Sequence, residues 1–107
     1  MTQASHQLVA IVILTWNNPD DTLDCLRTVT ALDCSALTTI VVDNGSTDDS
    51  VARIRAAHPA VELIETGENL GYAGGNNVGI RHALDAGADA ICILNNDVTI
   101  EPDFLAP

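Results

Sequence analysis

The chain has 107 residues, the length of one domain or of part of one, and its hydrophobic fraction of 47% is ordinary for a globular protein. Its 4 Lys and Arg residues against 15 Asp and Glu residues give a net charge of −11, which excludes the basic footprint of a nucleic-acid-binding protein and disfavours anionic membranes. A phosphate-bearing ligand would therefore need positive potential from a divalent metal or from backbone N–H groups.

Cysteine usage and the N-terminus predict a cytoplasmic protein. Cys25, Cys34 and Cys92 form no Cys-x-x-Cys pair, and we interpret them as reduced structural thiols. Residues 1–7 lack the basic segment of a signal peptide. The longest apolar run, residues 8–14, is far shorter than the roughly 20 residues of a membrane-spanning helix, so no transmembrane segment is predicted.

Four apolar segments, rich in β-branched or other aliphatic residues, predict the strands of one sheet. They lie at residues 8–14, 39–42, 61–64 and 91–94. The first and last are unbroken apolar runs, typical of strands buried on both faces, and the third is partly polar, as expected nearer a sheet edge. Helical patterns separate the strands, so the order β-α-β-α-β-α-β predicts an α/β fold, a Rossmann-like three-layer α/β/α arrangement with a mainly parallel sheet.

Capping residues predict where the first two helices begin. Asn18 is expected to cap the first helix, with Pro19 at its first position, and this helix should stop near Asp33. Ser46 and Asp49 resemble a capping box that opens the second helix.

The third helix is expected to continue from Val78, after a glycine-rich loop at residues 69–77, with Gly87 as the residue that follows its end. Residues 101–105 look like the start of another helix. We therefore expect residues 1–107 to be a single domain portion from the N-terminal part of a longer protein.

Polar residues cluster where the predicted strands end. The clusters are residues 15–17, 43–44 and 95–97, and the glycine-rich loop adds a fourth. In an open parallel sheet the carboxyl ends of the strands share one edge, and ligands bind there. We therefore expect the four clusters to converge on one rim.

Several interpretations of these residues remain open at this point. Asp43 occupies the position where a dinucleotide-binding fold holds a ribose, or it forms an Asx turn with Gly45. No Gly-x-Gly-x-x-Gly motif follows the first strand and no Lys follows the glycine-rich loop, which argues against an NAD site and a P-loop. That loop could equally be a simple turn, and Trp16 could stack on a base or pack against the protein.

Asp97 and Asn95 have the spacing of a metal site. Hard cations such as Mg²⁺ prefer oxygen ligands and commonly bind one or two carboxylates together with substrate phosphates. Asn95 offers only a neutral carbonyl oxygen, so a diphosphate would have to complete the site. The alternative is that Asp97 is a turn residue that caps the next segment.

Four motifs, in this order, resemble those of the family 2 glycosyltransferases of the GT-A fold, in particular the bacterial rhamnosyltransferase-like branch. They are Thr15-Trp16-Asn17, the segment Asp43–Asp48, the segment Asn69–Asn77, and Asn95-Asn96-Asp97. The resemblance covers nearly the whole chain, from Leu8 to Leu105.

The resemblance implies an enzyme of cell-wall or polysaccharide biosynthesis that transfers a sugar, with inversion, from a UDP- or dTDP-linked donor. It implies that Asp43 hydrogen-bonds the pyrimidine base and that Asp97 and Asn95 take the positions of the Asp-x-Asp motif, which binds Mn²⁺ or Mg²⁺ and here lacks its first carboxylate. The nucleotide-binding positions would be Thr15, Trp16, Asn17, Asp43, Asn44, Gly71, Gly75, Asn76 and Asn96.

No residue of the chain matches the family's general base, which is expected downstream. The glycan or lipid-linked acceptor would also bind through a downstream part, which could place the protein at the inner membrane. This chain alone would then bind nucleotide and turn over slowly or not at all.

Two other function classes fit the order of elements less well. A receiver-like or other regulatory nucleotide-binding module needs an acidic pocket at the end of the first strand and a Lys on a late strand, and both are absent from this sequence. A nucleotidyltransferase needs a glycine-rich basic loop after the first strand, where Thr-Trp-Asn-Asn-Pro stands instead.

Overall fold

The computed structural model describes residues 7–32, 34 and 36–105. These residues form a four-stranded sheet and three helices. The elements in chain order are β1 (Val9–Thr15), α1 (Pro19–Val29), β2 (Leu37–Asp43), α2 (Ser50–Ala57), β3 (Glu62–Glu65), α3 (Gly71–Asp85) and β4 (Ala90–Asn95). All three strand pairings are parallel and the strand order is β3-β2-β1-β4, so the predicted α/β class and parallel sheet are confirmed.

Helices cover both faces of the sheet, which confirms the three-layer arrangement. On one face, Leu26 of α1 and Ile54 of α2 are fully buried in a cluster with Ile11 and Val41. On the other face, Ala83 of α3 packs in a second cluster around Val12 and its neighbours. Each buried aliphatic side chain of this size contributes roughly 1.5–3 kcal/mol of transfer free energy, so the aliphatic residues of β1 and β2 hold the layers together.

The sheet register aligns the strand ends that carry the polar clusters. β1 lies between β2 and β4, with Thr15 beside Asp43 on one side and Leu14 beside Asn95 on the other. The ends of these three strands therefore form one continuous edge.

The fourth strand differs from its prediction. Among the described residues β4 pairs with β1 alone, and the side chain of Ile93 is 41% exposed. An apolar run indicates a strand, but the number of its neighbours depends on the strand order of the sheet. The prediction that β4 is buried on both faces is therefore wrong, whereas the prediction that β3 lies at an edge is confirmed.

The first helix begins as predicted, with Asn18 at the N-cap position and Pro19 in the first turn, but it ends earlier. Asn18 adopts a left-handed conformation with φ of 59° and makes no side-chain capping hydrogen bond, so the predicted capping by its side chain is wrong. The helix ends at Val29, with Thr30 as its C-cap. This is earlier than the predicted end near Asp33, which itself lies outside the described residues.

The second helix begins at Ser50, after the predicted capping box. Its N-cap residue, Asp49, makes no side-chain capping bond. Ser46 instead donates to Asp43, and Asp48 accepts the backbone N–H of Ser50 at 2.9 Å. The box prediction is wrong because the nearby carboxylate of Asp43 takes the Ser46 hydroxyl.

The third helix begins at Gly71, so residues 71–77 are helical rather than a loop. Glycines at these positions let α3 approach the sheet: a Cβ on Gly75 would lie 2.5 Å from Leu14 Cδ1, and one on Gly79 would lie 2.4 Å from Val12 Cγ1. A glycine-rich sequence predicts a loop when tertiary packing is unknown, which is why the start was misplaced. Gly87 follows the C-cap with φ of 85°, as predicted.

The segment after β4 forms turns. The Phe104 backbone N–H donates to the Glu101 carbonyl at 3.0 Å, and residues 102–105 form a turn instead of the predicted helix start. Across residues 7–32, 34 and 36–105, no helix is long and apolar enough to cross a bilayer.

Candidate functional site

A cavity of about 410 Å³ opens where β1 and β4 end, a volume typical of small-molecule sites. It is bounded by the end of β1 and the loop that follows, the first turns of α1 and α3, and the end of β4. The lining residues are Leu14, Trp16, Asn18, Asp21, Tyr72, Asn76, Leu94, Asn95, Asn96 and Asp97.

Five of the residues predicted from the sequence line this cavity, and six lie beside or behind it. The lining five are Trp16, Asn76, Asn95, Asn96 and Asp97, whereas Thr15, Asn17, Asp43, Asn44, Gly71 and Gly75 are outside the lining. The second group consists mainly of residues whose polar atoms bond within the protein or whose backbone allows close packing. These residues support the residues that line the cavity.

The loop between β1 and α1 is held by the loop between β2 and α2. Asn17 and Asn18 are both left-handed, with φ of 55° and 59°, a conformation that Asn tolerates better than most residues. The Asn17 backbone N–H donates to Ser46 Oγ at 2.7 Å, and Asn17 Oδ1 accepts the Thr47 N–H at 2.8 Å. Asp48 accepts the Asn18 N–H at 3.1 Å. These bonds fix the path of the chain from Trp16 into α1.

Asp43 is enclosed by the turn that follows it. Its residue is 2% exposed, and its two carboxylate oxygens accept the backbone N–H and the hydroxyl of Ser46. Asp43 therefore closes a turn with Ser46, three residues on, rather than with Gly45. Because the Ser46 hydroxyl also accepts the Asn17 N–H, Asp43 positions the β1–α1 loop through Ser46.

Asn44 joins the end of β2 to the start of α3. Its amide nitrogen donates to the Gly71 carbonyl at 3.1 Å and to Asn69 Oδ1 at 3.2 Å, and its Oδ1 accepts the Leu70 N–H at 3.0 Å. The residue is buried with its hydrogen-bonding atoms occupied by the protein. Asn44 thus sets where α3 begins relative to the cavity.

A hydrogen-bonded chain anchors the residues after β4. The Asn96 side-chain amide donates to Thr22 Oγ1 at 3.0 Å, and the Thr22 and Thr15 hydroxyl oxygens lie 2.7 Å apart. Thr15 and Thr22 are buried. The segment Asn95–Asp97 is therefore tied to α1 and β1 instead of being a free turn.

The charged side chains that line the cavity are acidic, whereas the two helix N-termini at the cavity carry partial positive charge. Asp21 and Asp97 line it, and no arginine does, among the described residues. Three of the four arginines pair with surface acids, at 2.8–3.0 Å. The N-termini of α1 and α3 both lie at the cavity, and the partial positive charge of a helix N-terminus favours an anion.

The oxygen atoms at the end of β4 suit a hard divalent cation. Asp97, Asn95 and Asp21 all line the cavity, and carboxylate and amide oxygens are ligands for Mg²⁺ or Mn²⁺. No group of three or more His, Cys, Asp or Glu side chains among the described residues could hold a metal. The residues therefore fit a divalent metal as a partial ligand set, which further ligands would have to complete.

A buried thiol lies behind the metal-type residues. The pKa of the Cys25 thiol is raised from 9.0 to about 11. Burial is the main cause, and the negative charges of Asp24 and Asp97 contribute the rest. Its sulfur lies 3.8 Å from the Asn95 carbonyl oxygen. Cys25, Cys34 and Cys92 are all free cysteines, and burial also raises the pKa of Cys92. A raised pKa lowers the thiolate fraction, so burial makes both Cys25 and Cys92 weaker nucleophiles than a free thiol.

Sequence patterns did not single out Leu14, Asn18, Asp21, Tyr72 and Leu94 as cavity residues. Asp21 lies in the first turn of α1, and no sequence motif marks it as a site residue. The sequence pattern placed Tyr72 in a loop. In the structure α3 begins at Gly71, so Tyr72 lies one helical turn before Asn76, on the same face.

Comparisons with known proteins identify the family of this chain. The family model described as glycosyl transferase family 2 matches residues 10–107. The chain belongs to glycosyl transferase family 2. The predicted resemblance is therefore confirmed.

Individual family 2 relatives agree with this membership. The chain is 36% identical over 91 residues to the galactofuranosyltransferase GlfT1 of Mycobacterium tuberculosis, covering 83% of this chain and 30% of that protein. It is 34% identical over 97 residues to the dTDP-rhamnosyl transferase RfbF of Shigella flexneri, covering 88% of this chain and 31% of that protein.

A solved structure confirms the GT-A fold. The mannosyltransferase PcManGT of Pyrobaculum calidifontis, in complex with GDP-Man and Mn²⁺, superposes with a TM-score of 0.75 at 28% identity. The match covers 92% of this chain and 30% of PcManGT. The chain thus spans about a third of the length of these relatives.

Proposed function

We propose that this chain is the donor-binding portion of a glycosyltransferase and that its cavity binds a nucleotide-diphosphate sugar. The observation that carries the proposal is the cavity itself, which brings Trp16, Asn76 and the segment Asn95–Asp97 together at the carboxyl ends of the strands in a family 2 chain. Ligands of open α/β sheets bind at this edge.

We propose a pyrimidine nucleotide, UDP or dTDP, as the carrier of the sugar. The name of the relative RfbF specifies a dTDP-linked donor, whereas the PcManGT complex contains a GDP-linked one. Trp16 and Tyr72 are 51% and 66% exposed at the cavity and offer aromatic surfaces for stacking on a base. The dTDP-linked donor of RfbF supports the choice of a pyrimidine.

The donor diphosphate would bind together with Mn²⁺ or Mg²⁺. Asp97 would be the main protein ligand, with the Asn95 carbonyl oxygen as a weaker one, and Mn²⁺ in the PcManGT complex supports this choice. When bound, the metal would neutralise the diphosphate and stabilise the departing nucleotide. The N-terminus of α3 would add backbone N–H groups to the same anion.

We propose that the rest of a longer protein supplies the remaining parts of the reaction. These are the general base, the binding site for a glycan or lipid-linked acceptor hydroxyl, and any attachment at the inner membrane. The transfer would invert the anomeric centre, as the resemblance implies. The chain's span of about a third of its relatives agrees with this division.

Isothermal titration calorimetry of the 107-residue chain with UDP, dTDP and GDP, each with and without Mn²⁺, tests the proposal. We expect UDP or dTDP to bind more tightly than GDP and Mn²⁺ to strengthen the binding. Asp97→Ala should weaken binding about 10- to 100-fold with Mn²⁺ and much less without it. Asp103→Ala, an exposed acid outside the cavity lining, is the matched control. If the folded chain binds no nucleotide under either condition, the proposal is wrong.

A further inference from the structure

Asn76 has a buried polar atom that the protein leaves without a partner. The residue is 4% exposed, and its Oδ1 has no hydrogen-bond partner among the described residues. Buried polar atoms are nearly always hydrogen-bonded, and an unpaired one destabilises a fold. Because Asn76 also lines the cavity, a ligand could provide the missing donor.

The position of Asn76 is set by the close packing of α3. A Cβ on Gly75, directly before it, would meet Leu14 and Asn44, and one on Gly79 would meet Val12. The absence of a Cβ at these two positions lets the second turn of α3 lie close to the end of β1. The Asn76 side chain is therefore held against the cavity by backbone packing and not by hydrogen bonds of its own Oδ1.

Aromatic side chains lie on the same cavity. The chain has one Trp, one Tyr and one Phe, and two of these three, Trp16 and Tyr72, are exposed on the lining. Tyr72 lies four residues before Asn76, so the two side chains share a face of α3. An aromatic surface beside an unpaired hydrogen-bond acceptor is suited to a nucleoside, which has a planar base and N–H and O–H groups.

Two other residues predicted at this edge, Asp43 and Asn44, already form hydrogen bonds within the protein. Asp43 accepts two hydrogen bonds from Ser46, and Asn44 bonds to residues 69–71. Neither lines the cavity. Among the described residues, Asn76 is thus the buried predicted residue whose side-chain acceptor has no partner in the protein.

We propose that Asn76 determines nucleoside specificity: its Oδ1 accepts a hydrogen bond from an N–H or O–H group on the nucleoside part of the donor. This rests on the proposed function. The group is either the imide N3–H of uracil or thymine, or a ribose hydroxyl. Cytosine has a bare N3 that cannot donate, so UDP and CDP, which are nearly equal in size, separate these two sources.

The test compares wild-type chain, Asn76→Leu and Asn77→Leu. Leucine is close to asparagine in size and removes the unpaired carbonyl, so the melting temperature of Asn76→Leu should be unchanged or higher while UDP binding becomes about tenfold weaker. Asn77 is exposed and outside the cavity lining, so Asn77→Leu should leave UDP affinity unchanged. Calorimetry with UDP and with CDP, both with Mn²⁺, gives the affinities.

Each outcome assigns or rejects the role. A loss confined to UDP identifies the imide N–H as the partner, and equal losses for UDP and CDP that disappear with 2′-deoxy-UDP identify the ribose 2′-hydroxyl. Unchanged UDP affinity in Asn76→Leu, or a fall in melting temperature that accompanies the loss of affinity, overturns the inference. If the wild-type chain binds neither nucleotide, the proposed function fails, whereas normal wild-type binding with no effect of Asn76→Leu rejects this inference alone.

Discussion

Asn96 donates its side-chain amide to the Thr22 hydroxyl at 3.0 Å, although 74 positions separate the two residues in the chain. Thr22 lies in the second turn of α1 and is fully buried, so the bond fastens the turn after β4 to a rigid helix. This hydrogen bond also fixes the positions of Asn95 and Asp97, which are adjacent to Asn96 in the chain. The geometry of the proposed metal ligands therefore depends on a threonine that does not line the cavity.

We predict that Thr22→Val lowers stability and nucleotide affinity together. Valine keeps the shape of threonine but leaves the Asn96 N–H and the buried Thr15 hydroxyl without a partner, at a cost of about 1–3 kcal/mol in the free energy of unfolding. Urea unfolding measures the first effect and titration of UDP with Mn²⁺ the second. Thr30→Val is the control, since its hydroxyl bonds only to α1 carbonyls. An anchored Asp97 is ruled out if Thr22→Val binds UDP as the wild type does.

Ser46 should matter more than its neighbour Thr47. Ser46→Ala removes the donor to Asp43 and the acceptor of the Asn17 N–H, so we expect a loss of about 1–2 kcal/mol and weaker binding through the displaced Trp16 loop. Thr47 contributes its backbone N–H to Asn17, which alanine retains, so Thr47→Ala should change little. Urea unfolding of both variants, with UDP titration, decides the point. Equal effects of the two substitutions would contradict the assigned role of Ser46.

Gly79→Ala should destabilise the chain by about 1–3 kcal/mol. The added Cβ would lie 2.4 Å from Val12 Cγ1 and 3.0 Å from Val42 Cγ2, both in the buried sheet, so α3 would have to move. Combining Gly79→Ala with Val12→Ala should cost less than the sum of the two single changes, because the smaller side chain makes room. Additive losses in urea unfolding would show that the contact is not the cause.

Gly75→Ala should act on the cavity more than on stability. Its Cβ would meet Leu14 Cδ1 at 2.5 Å, the end of a flexible side chain that lines the cavity. Leu14 can turn away, so we expect a loss of stability below that of Gly79→Ala but a measurable fall in UDP affinity. The reverse ranking, measured by unfolding and calorimetry, would contradict this account.

The raised pKa of Cys25 predicts a loss of stability at high pH. Burial, with the nearby Asp24 and Asp97 carboxylates, raises the pKa of this thiol from 9.0 to about 11. The unfolded chain therefore releases the thiol proton first, and stability falls as pH rises from about 9 to about 11. Urea unfolding across this range should show a smaller fall for Cys25→Ala. Parallel curves for the two proteins would mean that the Cys25 pKa is ordinary.

The sheet was predictable because the chemistry that forms it is local. The apolar segments predicted at residues 8–14 and 39–42 correspond to β1 and β2, since β-branched runs bounded by polar residues strongly favour strands. The edge at which the polar clusters meet follows from parallel pairing alone. No such local signal reports that β4 has a single neighbour among the described residues, because that depends on strand order.

The start of α3 could not be predicted because its glycines serve distant contacts. Gly75 and Gly79 are needed against Leu14 and Val12, which lie more than 60 positions earlier in the chain. In sequence they look like loop residues, so Tyr72 was not seen as part of a helical face. The left-handed conformation of Asn17 and Asn18 was likewise not predictable, because hydrogen bonds from the distant β2–α2 loop hold it.

The outer edge of β4 has a consequence for the state of the chain in solution. This edge is six residues long and unpaired among the described residues, with Ile93 exposed, so it is a template for strand addition. A strand added there would lie directly beside Asn95 and the residues that follow. Self-association at high protein concentration and occupancy of the cavity would then be thermodynamically linked, and the apparent affinity for a nucleotide would depend on the concentration of the protein.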